Sequence, residues 1–398
     1  HHIASDGWSM GVFVKEFLFH YQAIVSNSPA TLPPLEIQYS DYAYWQRQWF
    51  QGEVKEKQLS YWRQQLAGVE DCHRLPLDFA RPAEKSDAGA LITACLGEQE
   101  SKRLQMLCQE KGITQFMLLH GVLSLVLSQH SNNHDIVLGT PVANRRRAEL
   151  DDLIGFFVNT LVLRVNTDFD TFADYIAHVQ QVNLDAQANQ DVPFEALVEQ
   201  CGVRRSIQYT PLFQIMFNMN TNATDDINLP GVTLSPVQRD YIAAKFDLNV
   251  SATVTENGLE INWIYDQTLF TRERIEQLSQ HLLQLLTAIA ETPNATLQQL
   301  RSPGENDIKR LLGDPRQIAI QDTPDAILVH QRFETQAVKT PWAPAVVMGQ
   351  SQLTYNELNY RANQLARHLQ AQGIGLQTPV GLCCQPVSYT HLTLPTRS

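Results

Sequence analysis

The sequence lacks three features that would point to particular classes of protein. Its six cysteines show neither a paired metal-ligand spacing nor the framework of a small disulfide-rich domain. No apolar run approaches the ~20 residues that cross a bilayer, and no signal-peptide pattern is visible. We therefore expect free thiols in a reducing compartment, and hence a cytoplasmic protein.

Basic residues are also scarce, because 30 Lys and Arg stand against 42 Asp and Glu and give a net charge of −12. Such a chain is poorly suited to nucleic acid or to an anionic membrane. The one basic run, residues 145–147, is too short to change this, and a solvated face or a local carboxylate partner explains it better.

The chain is long enough, and contains enough apolar residues, to bury a large core. Its 398 residues, 43% of them hydrophobic, are typical of a soluble globular protein of two or three domains.

Strand and helix patterns alternate along the chain, which predicts an α/β or α+β architecture of at least two layers. Apolar spacings of three and four predict helices over 10–25, 54–66, 100–111, 113–130, 171–190 and 271–291. Alternating or continuous apolar segments predict strands over 91–97, 135–140, 154–165 and 211–220, and three more between 232 and 267. The last two of these are joined by a turn at Glu256-Asn257-Gly258.

Two groups that could carry chemistry are better explained by packing. An aromatic stripe at this spacing usually belongs to the core, and its members are Tyr42, Trp45, Trp49 and Trp62. His120 lies within the apolar helix at 113–130, where a hydrogen-bonded core histidine is a better interpretation than a ligand.

The first nine residues, HHIASDGWS, place two imidazoles, a carboxylate, a glycine and a hydroxyl directly before the first helix. Two histidines at a chain start can also be the remnant of a purification tag. If Ser9 caps the helix, the amides of its first turn point toward this segment and stabilise an electron-rich atom there. The residues further along the chain decide between these interpretations.

His1, His2, Asp6 and Gly7 are similar to the His-His-x-x-x-Asp-Gly motif of the condensation domains of nonribosomal peptide synthetases. Further segments resemble later motifs of that family, in its order: YSDYA with WQR, IGFFVNTL, QDVPFE, and PLFQ with MF. LTYNEL, at 353–358, resembles the first motif of an adenylation domain. This ordered set covers residues 1 to about 385 and excludes the tag.

The resemblance implies an α/β (α+β) two-layer sandwich with two lobes, related to chloramphenicol acetyltransferase, and a tunnel open at both faces. Members of the family have strands and helices before the paired histidines, so we expect an incomplete N-terminal lobe. The expected division is 1–85 for the remnant of that lobe, 86–295 for the C-terminal lobe, 296–326 for a proline-rich linker and 327–386 for the truncated start of an adenylation domain. Residues 387–398 have no clear periodicity and are expected to be non-native.

The implied reaction is peptide-bond formation, in which the α-amine of an acceptor aminoacyl thioester attacks a donor thioester. Both substrates are carried on the phosphopantetheine arms of carrier domains, so the expected partners are upstream and downstream carrier domains and the adjoining adenylation domain. No metal and no directly bound cofactor are expected. The motif spelling resembles domains that accept an L-configured donor. Two alternatives stand beside this: a catalytically dead fragment that keeps a carrier-docking surface, and a stand-alone acyltransferase that uses free coenzyme A.

The resemblance also assigns roles to residues of the motif. His2 accepts the amine proton, or positions the amine and stabilises the charged intermediate, and both roles stay open. Gly7 lets the backbone approach, with its amide facing the developing oxyanion. His1 is expected to pack or hydrogen-bond rather than act as a second base. Asp6 is expected to pair with Arg145 across the lobe seam, the alternative being that Arg145 begins a solvated run.

Three further residues are predicted to line the substrate tunnel. Trp8 and Ser9 follow the motif directly, and Asn159 lies in the IGFFVNTL segment. For Asn159 a structural role inside the sheet is an equal alternative, because a polar pair in an apolar run must find partners or cost ~1–3 kcal/mol per unpaired group.

Overall fold

A computed structural model of the chain describes residues 2–203, 206–220, 232, 241–301, 329–348, 351–375 and 378. These residues belong to two units, His1–Ser302 and Pro303–Ser398, and each is described by itself. His1, most of the predicted linker and the predicted non-native tail lie outside the described residues. The finer division at residue 85 stays a prediction.

The first unit is built on a mixed sheet of seven strands in the order β3-β2-β4-β6-β7-β1-β5. The strands are β1 Ala88–Gly97, β2 Asp135–Val142, β3 Asn159–Asn166, β4 Ile215–Asn220, β5 Ile242–Ala243, β6 Leu248–Thr255 and β7 Gly258–Asp266. β4 runs parallel to β2 and β6, and the other pairs are antiparallel. The predicted turn between β6 and β7 is confirmed. Gly258 has φ 126°, and a Cβ there would lie 2.2 Å from the Leu96 carbonyl oxygen, so only glycine fits.

Nine helices are described in this unit: α1 Gly7–Val25, α2 Tyr39–Trp49, α3 Gly52–Gln65, α4 Glu98–Lys111, α5 Gln115–Ser131, α6 Phe172–Ala188, α7 Phe194–Gln200, α8 Arg272–Glu291 and α9 Leu297–Arg301. α4, α5, α6 and α8 pack on one another and on the sheet, so they form the second layer. α5 is buried continuously from Met117 to Ser128, which explains its all-round apolar sequence. The six helices predicted in this unit are confirmed.

No single described helix is long and apolar enough to cross a bilayer. α4 and α5 reach the required length and hydropathy only as a pair, and that pair is bent by 106°.

The strand predicted over 154–165 is shorter than expected. β3 begins only at Asn159, and residues 154–158 form a loop. Their apolar side chains produce a strand-like pattern, but the amides of Gly155, Phe157 and Val158 donate to side chains near the start of the chain. An amide committed in this way has no hydrogen left for a neighbouring strand.

The predicted aromatic core is correct for two of its four members. Tyr42 and Trp62 are buried, and the Trp62 indole donates to the Asn189 carbonyl at 2.8 Å. Trp45 and Trp49 are only half-buried, and they stack on each other with ring centroids 5.2 Å apart. This pair therefore lies at the edge of the core.

His120 is a core histidine, as predicted. It has no exposed surface, and its Nδ1 accepts a hydrogen bond from the Asn183 amide at 3.0 Å. Its Nε2 has no hydrogen-bond partner among the described residues, so the ring is paired at one nitrogen only. Burial lowers the pKa of His120 to about 3, which keeps the ring neutral.

We expect His120 to make the fold sensitive to acid. Because its folded pKa lies below the ordinary value of ~6.5, only the unfolded chain binds this proton as the pH falls from ~6.5 toward 3. The free energy of unfolding of the wild type should fall relative to that of His120→Gln by up to ~1.4 kcal/mol per pH unit in this window. Urea unfolding at pH 7.5 and 5.5 measures the difference. The exposed His20→Gln variant is the control, and an equal pH dependence in all three proteins would contradict the assignment.

The second unit is smaller. It contains α10 Val329–Lys339, an antiparallel pair β8 Pro344–Met348 and β9 Ser351–Thr354, and α11 Tyr355–Ala371. Thr354 and Glu357 form a capping box at the start of α11. The described core of this unit is formed by Phe333, Ala337, Ala343, Ala345, Tyr355 and Leu358.

Candidate active site

The motif segment ends where α1 begins, and Asp6 rather than Ser9 caps that helix. Asp6 has extended backbone geometry, and its Oδ1 accepts from the Ser9 amide at 2.8 Å. Ser9 lies in the first turn as the third helical residue. The conditional assignment of Ser9 as cap is thus wrong, because a carboxylate three residues earlier already satisfies this amide and its charge favours the positive end of the helix dipole.

The second oxygen of Asp6 holds the loop at 154–158. Its Oδ2 accepts from the amides of Phe157 at 2.9 Å and Val158 at 3.2 Å. Burial alone would raise the pKa of Asp6, but the hydrogen bonds from Ser9 and Phe157 and the charge of Arg145 hold it below its ordinary value. One ionised carboxylate thus fastens the motif to a segment about 150 residues away.

Ser9 is the centre of this connection. Its Oγ lies 2.8 Å from both Asp6 Oδ1 and the Gly155 carbonyl, 3.1 Å from the Gly155 amide and 2.9 Å from Arg145 Nη2. The residue has no exposed surface. The prediction that Ser9 lines a tunnel is therefore wrong, because its hydroxyl is fully engaged inside the protein.

Arg145 lies beside the same carboxylate. Its Nη2 is 3.6 Å from Asp6 Oδ1, and the two side chains are 1% and 2% exposed. The guanidinium also lies 4.1 Å from the centroid of the Phe157 ring. Burial lowers the pKa of Arg145, and the Asp6 charge opposes that change. The structure brings the two predicted partners together, with the Ser9 hydroxyl bridging them.

The other two arginines of the basic run have separate contacts. Arg146 pairs with Asp191 at 2.9 Å, and Arg147 lies 4.8 Å from the centroid of the Trp45 ring. The run is therefore three different interactions, and a local carboxylate partner is correct for Arg146. A pattern of three like charges cannot show that each faces a different neighbour.

His2 is exposed at the open end of this assembly. Its Nδ1 lies 3.2 Å from the carbonyl oxygen of Ser5. Because a carbonyl only accepts, Nδ1 donates in this contact, and in the neutral ring the lone pair is then on Nε2. Nε2 is thus the atom of a neutral His2 that can accept a proton from an amine. His1 lies outside the described residues.

Gly7 and Trp8 occupy the first turn of α1, whose leading amides have no intrahelical acceptor. A Cβ on Gly7 would meet no described atom within 4 Å, so the described residues do not require glycine there. Trp8 is 46% exposed, and its indole N–H donates to the Asp151 carbonyl at 2.9 Å. The oxyanion role of Gly7 and the tunnel role of Trp8 stay predictions.

Asn159 has the structural role that was its alternative. Its Nδ2 donates to the carbonyls of Gln190 and Val192, both at 2.8 Å, and its Oδ1 accepts from the Phe194 amide at 3.2 Å. Every polar atom of its amide group ties β3 to the start of α7, and the tunnel role of Asn159 stays a prediction.

Sequence analysis did not identify Tyr39 and Gly155 as residues of the site. The Tyr39 hydroxyl donates to the Phe156 carbonyl at 2.8 Å. A Cβ on Gly155 would lie 2.2 Å from the Tyr39 ring, so a glycine is required for this close approach. The glycine at the head of IGFFVNTL was the available signal, since a glycine inside a strand pattern often marks a close approach.

Among the described residues, one group of three potential metal ligands lies close together: Cys72, His73 and Asp247. Nδ1 of His73 accepts from the Leu75 amide at 3.1 Å, and its Nε2 faces Asp247 Oδ2 at 3.0 Å. The Nε2 therefore carries the proton and cannot bind a metal. Arg81 already supplies a cation to Asp247, and burial raises the pKa of the Cys72 thiol. The hydrogen bonds and the ion pair of this group are better explained as fixing the segment between α3 and β1 to Asp247.

Comparison with known proteins places this geometry in a family. Residues 1–312 match the model of the condensation domain, and residues 333–391 match that of the AMP-binding enzymes. The chain is 41% identical over 389 residues to a linear gramicidin synthase of Brevibacillus parabrevis, covering 96% of the chain but 5% of that protein. The chain thus spans about a twentieth of the length of this relative.

Solved structures show the same fold. The X-domain from teicoplanin biosynthesis aligns with a TM-score of 0.68 at 27% identity, covering 75% of this chain and 69% of that one. A four-domain nonribosomal peptide synthetase bound to AMP and glycine aligns with a TM-score of 0.67 at 22% identity, covering 94% and 29%. The predicted fold class, a two-layer α/β sandwich of the chloramphenicol acetyltransferase type, is confirmed. The chain belongs to the condensation domain family of nonribosomal peptide synthetases.

Proposed function

We propose that this chain forms peptide bonds between two carrier-bound aminoacyl or peptidyl thioesters. The observation that carries the proposal is the contact of His2 Nδ1 with the Ser5 carbonyl, which makes Nε2 the proton acceptor of the neutral ring at the exposed end of a segment held by Asp6, Ser9 and Arg145. Membership of the condensation domain family supports the same reaction.

The reaction needs little chemical activation by the protein, because a thioester is already activated and an amine is already a nucleophile. The acceptor nitrogen attacks the donor carbonyl, the C–S bond breaks, and the amine proton leaves as the pantetheine thiol is released. Holding the two tethered ends together supplies much of the rate. His2 Nε2 accepts the proton or positions the amine, and the Gly7 amide stabilises the developing oxyanion.

Both substrates of this reaction are bound as thioesters to carrier domains. The proposal includes phosphopantetheine arms on an upstream and a downstream carrier domain, an adjoining adenylation domain and an L-configured donor residue. Relatives named as peptide synthases and the match of residues 333–391 to AMP-binding enzymes support this setting.

The test mixes the chain with one carrier loaded with an L-aminoacyl donor and a second loaded with an acceptor. Intact mass spectrometry should show a dipeptide on the acceptor carrier and a free thiol on the donor carrier. An N-acetylated acceptor, which has no nucleophilic amine, is the matched control. A dipeptide yield no greater than without the chain would contradict the proposal, and efficient transfer from an acyl-coenzyme A donor instead would favour the stand-alone acyltransferase.

A further inference from the structure

Phe156 lies in the loop at 154–158, and its backbone is fixed from three directions. On one side, both polar backbone atoms of Gly155 contact the Ser9 hydroxyl. The carbonyl of Phe156 itself accepts from the Tyr39 hydroxyl at 2.8 Å. On the other side, the Phe157 amide donates to Asp6 at 2.9 Å. The position of Phe156 is therefore set by the same groups that fix the motif.

Its side chain points differently from that of its neighbour. Phe157 is 2% exposed and packs against Tyr42, with ring centroids 4.7 Å apart, and against the Arg145 guanidinium. Phe156 is 42% exposed, and its ring centroid lies 6.0 Å from that of His2, with 55° between the ring planes. The loop thus buries Phe157 in the core and exposes Phe156 beside the His2 imidazole.

An exposed aromatic ring on a fixed backbone is a suitable contact for an apolar group. It has only two side-chain torsions to order on binding, and its backbone needs no further ordering. Because the two ring centroids are 6.0 Å apart, a group bound at the imidazole is within reach of this ring. The geometry predicts contact with the part of the substrate nearest the reacting bond.

We propose that Phe156 is a specificity residue that contacts the apolar side chain of an aminoacyl group positioned at His2. This inference rests on the proposed function and adds to it a class of substrate. Aminoacyl groups reach the site from either the donor or the acceptor carrier, and both present the same chemistry, so the test separates the two sources.

The test measures kcat/KM for dipeptide formation with leucyl and seryl groups, varied first on the donor carrier and then on the acceptor carrier. Phe156→Ala should lower kcat/KM for the leucyl substrate by about 10- to 100-fold in one of the two arms, and for the seryl substrate by less than about 3-fold. Phe156→Leu should keep most of the leucyl activity. Phe79→Ala removes a phenylalanine of similar exposure, 50%, from the segment between α3 and β1 and should change neither.

A second readout needs no turnover. Binding of a leucyl-pantetheine amide, measured by isothermal titration calorimetry, should weaken about 10-fold or more in Phe156→Ala, while circular dichroism shows the fold unchanged. Equal losses for leucyl and seryl substrates in both arms, or no loss of amide binding, would overturn the role of Phe156. A wild-type chain that binds the amide but forms no dipeptide would overturn the proposed function alone.

Discussion

Replacing His2 by alanine should lower the rate of dipeptide formation by about 10²- to 10⁴-fold, the range typical of a lost proton-transfer group. The side chain is exposed, and its described contacts are the Ser5 carbonyl and the Phe156 ring. Losing them should change stability by less than ~0.5 kcal/mol, as for most surface substitutions. The loss would then be chemical, and kcat at saturating carriers together with urea unfolding would show it.

A second substitution at this position separates the two roles left open for His2. Asparagine can donate to the Ser5 carbonyl and accept a hydrogen bond from an amine, but it cannot take up a proton. If His2 only positions the amine, His2→Asn should keep much of the rate; if it accepts the proton, His2→Asn should be as slow as His2→Ala. His20→Ala, an exposed histidine on α1, is the control. A His2→Ala rate equal to the wild type would exclude both roles.

Local patterns were sufficient where burial decides the structure. α8 was predicted because its apolar residues follow the helical period, α5 because its segment is strongly apolar, and the turn at Glu256-Asn257-Gly258 because Asn-Gly is typical of a hairpin turn. The pairing of Asp6 with Arg145 came from the motif resemblance and not from periodicity. These parts of the fold and site can be predicted from short segments of sequence or from motifs shared with the family.

The same patterns failed where a long-range hydrogen bond decides the structure. Residues 154–158 have the apolar run of a strand, and hydropathy cannot show that their amides donate to Asp6 and Ser9. Asn159 was ambiguous for the same reason, since its three partners lie over 30 residues further along the chain. The burial of a segment can be predicted from that segment alone. A long-range hydrogen bond can be predicted only when the positions of both bonded segments in the fold are known.

Replacing Asp6 by alanine should have the largest effect on stability, about 3–5 kcal/mol, because it leaves the buried Arg145 charge without its partner. It also removes the cap of α1 and the acceptor for two amides of the loop at 154–158. Since the pKa of Asp6 is below its ordinary value, its contribution should be present at neutral pH and lost as the pH falls below ~3.9. Urea unfolding at pH 7 and at pH 3.5 measures both effects.

The companion variants show whether Ser9 truly connects this pair. Removing both charges, as in Asp6→Asn with Arg145→Met, should cost less than the sum of the two single changes, because neither charge is then left buried alone. The coupling should fall when the cycle is repeated with Ser9→Ala, since the Ser9 hydroxyl bridges the 3.6 Å between the charged groups. The exposed pair of Arg272 and Glu276 is the control, where Glu276→Ala should cost under ~1 kcal/mol. Strictly additive effects at Asp6 and Arg145 would show that the two charges act independently, and the motif aspartate would then stabilise α1 and the loop through its amide hydrogen bonds alone.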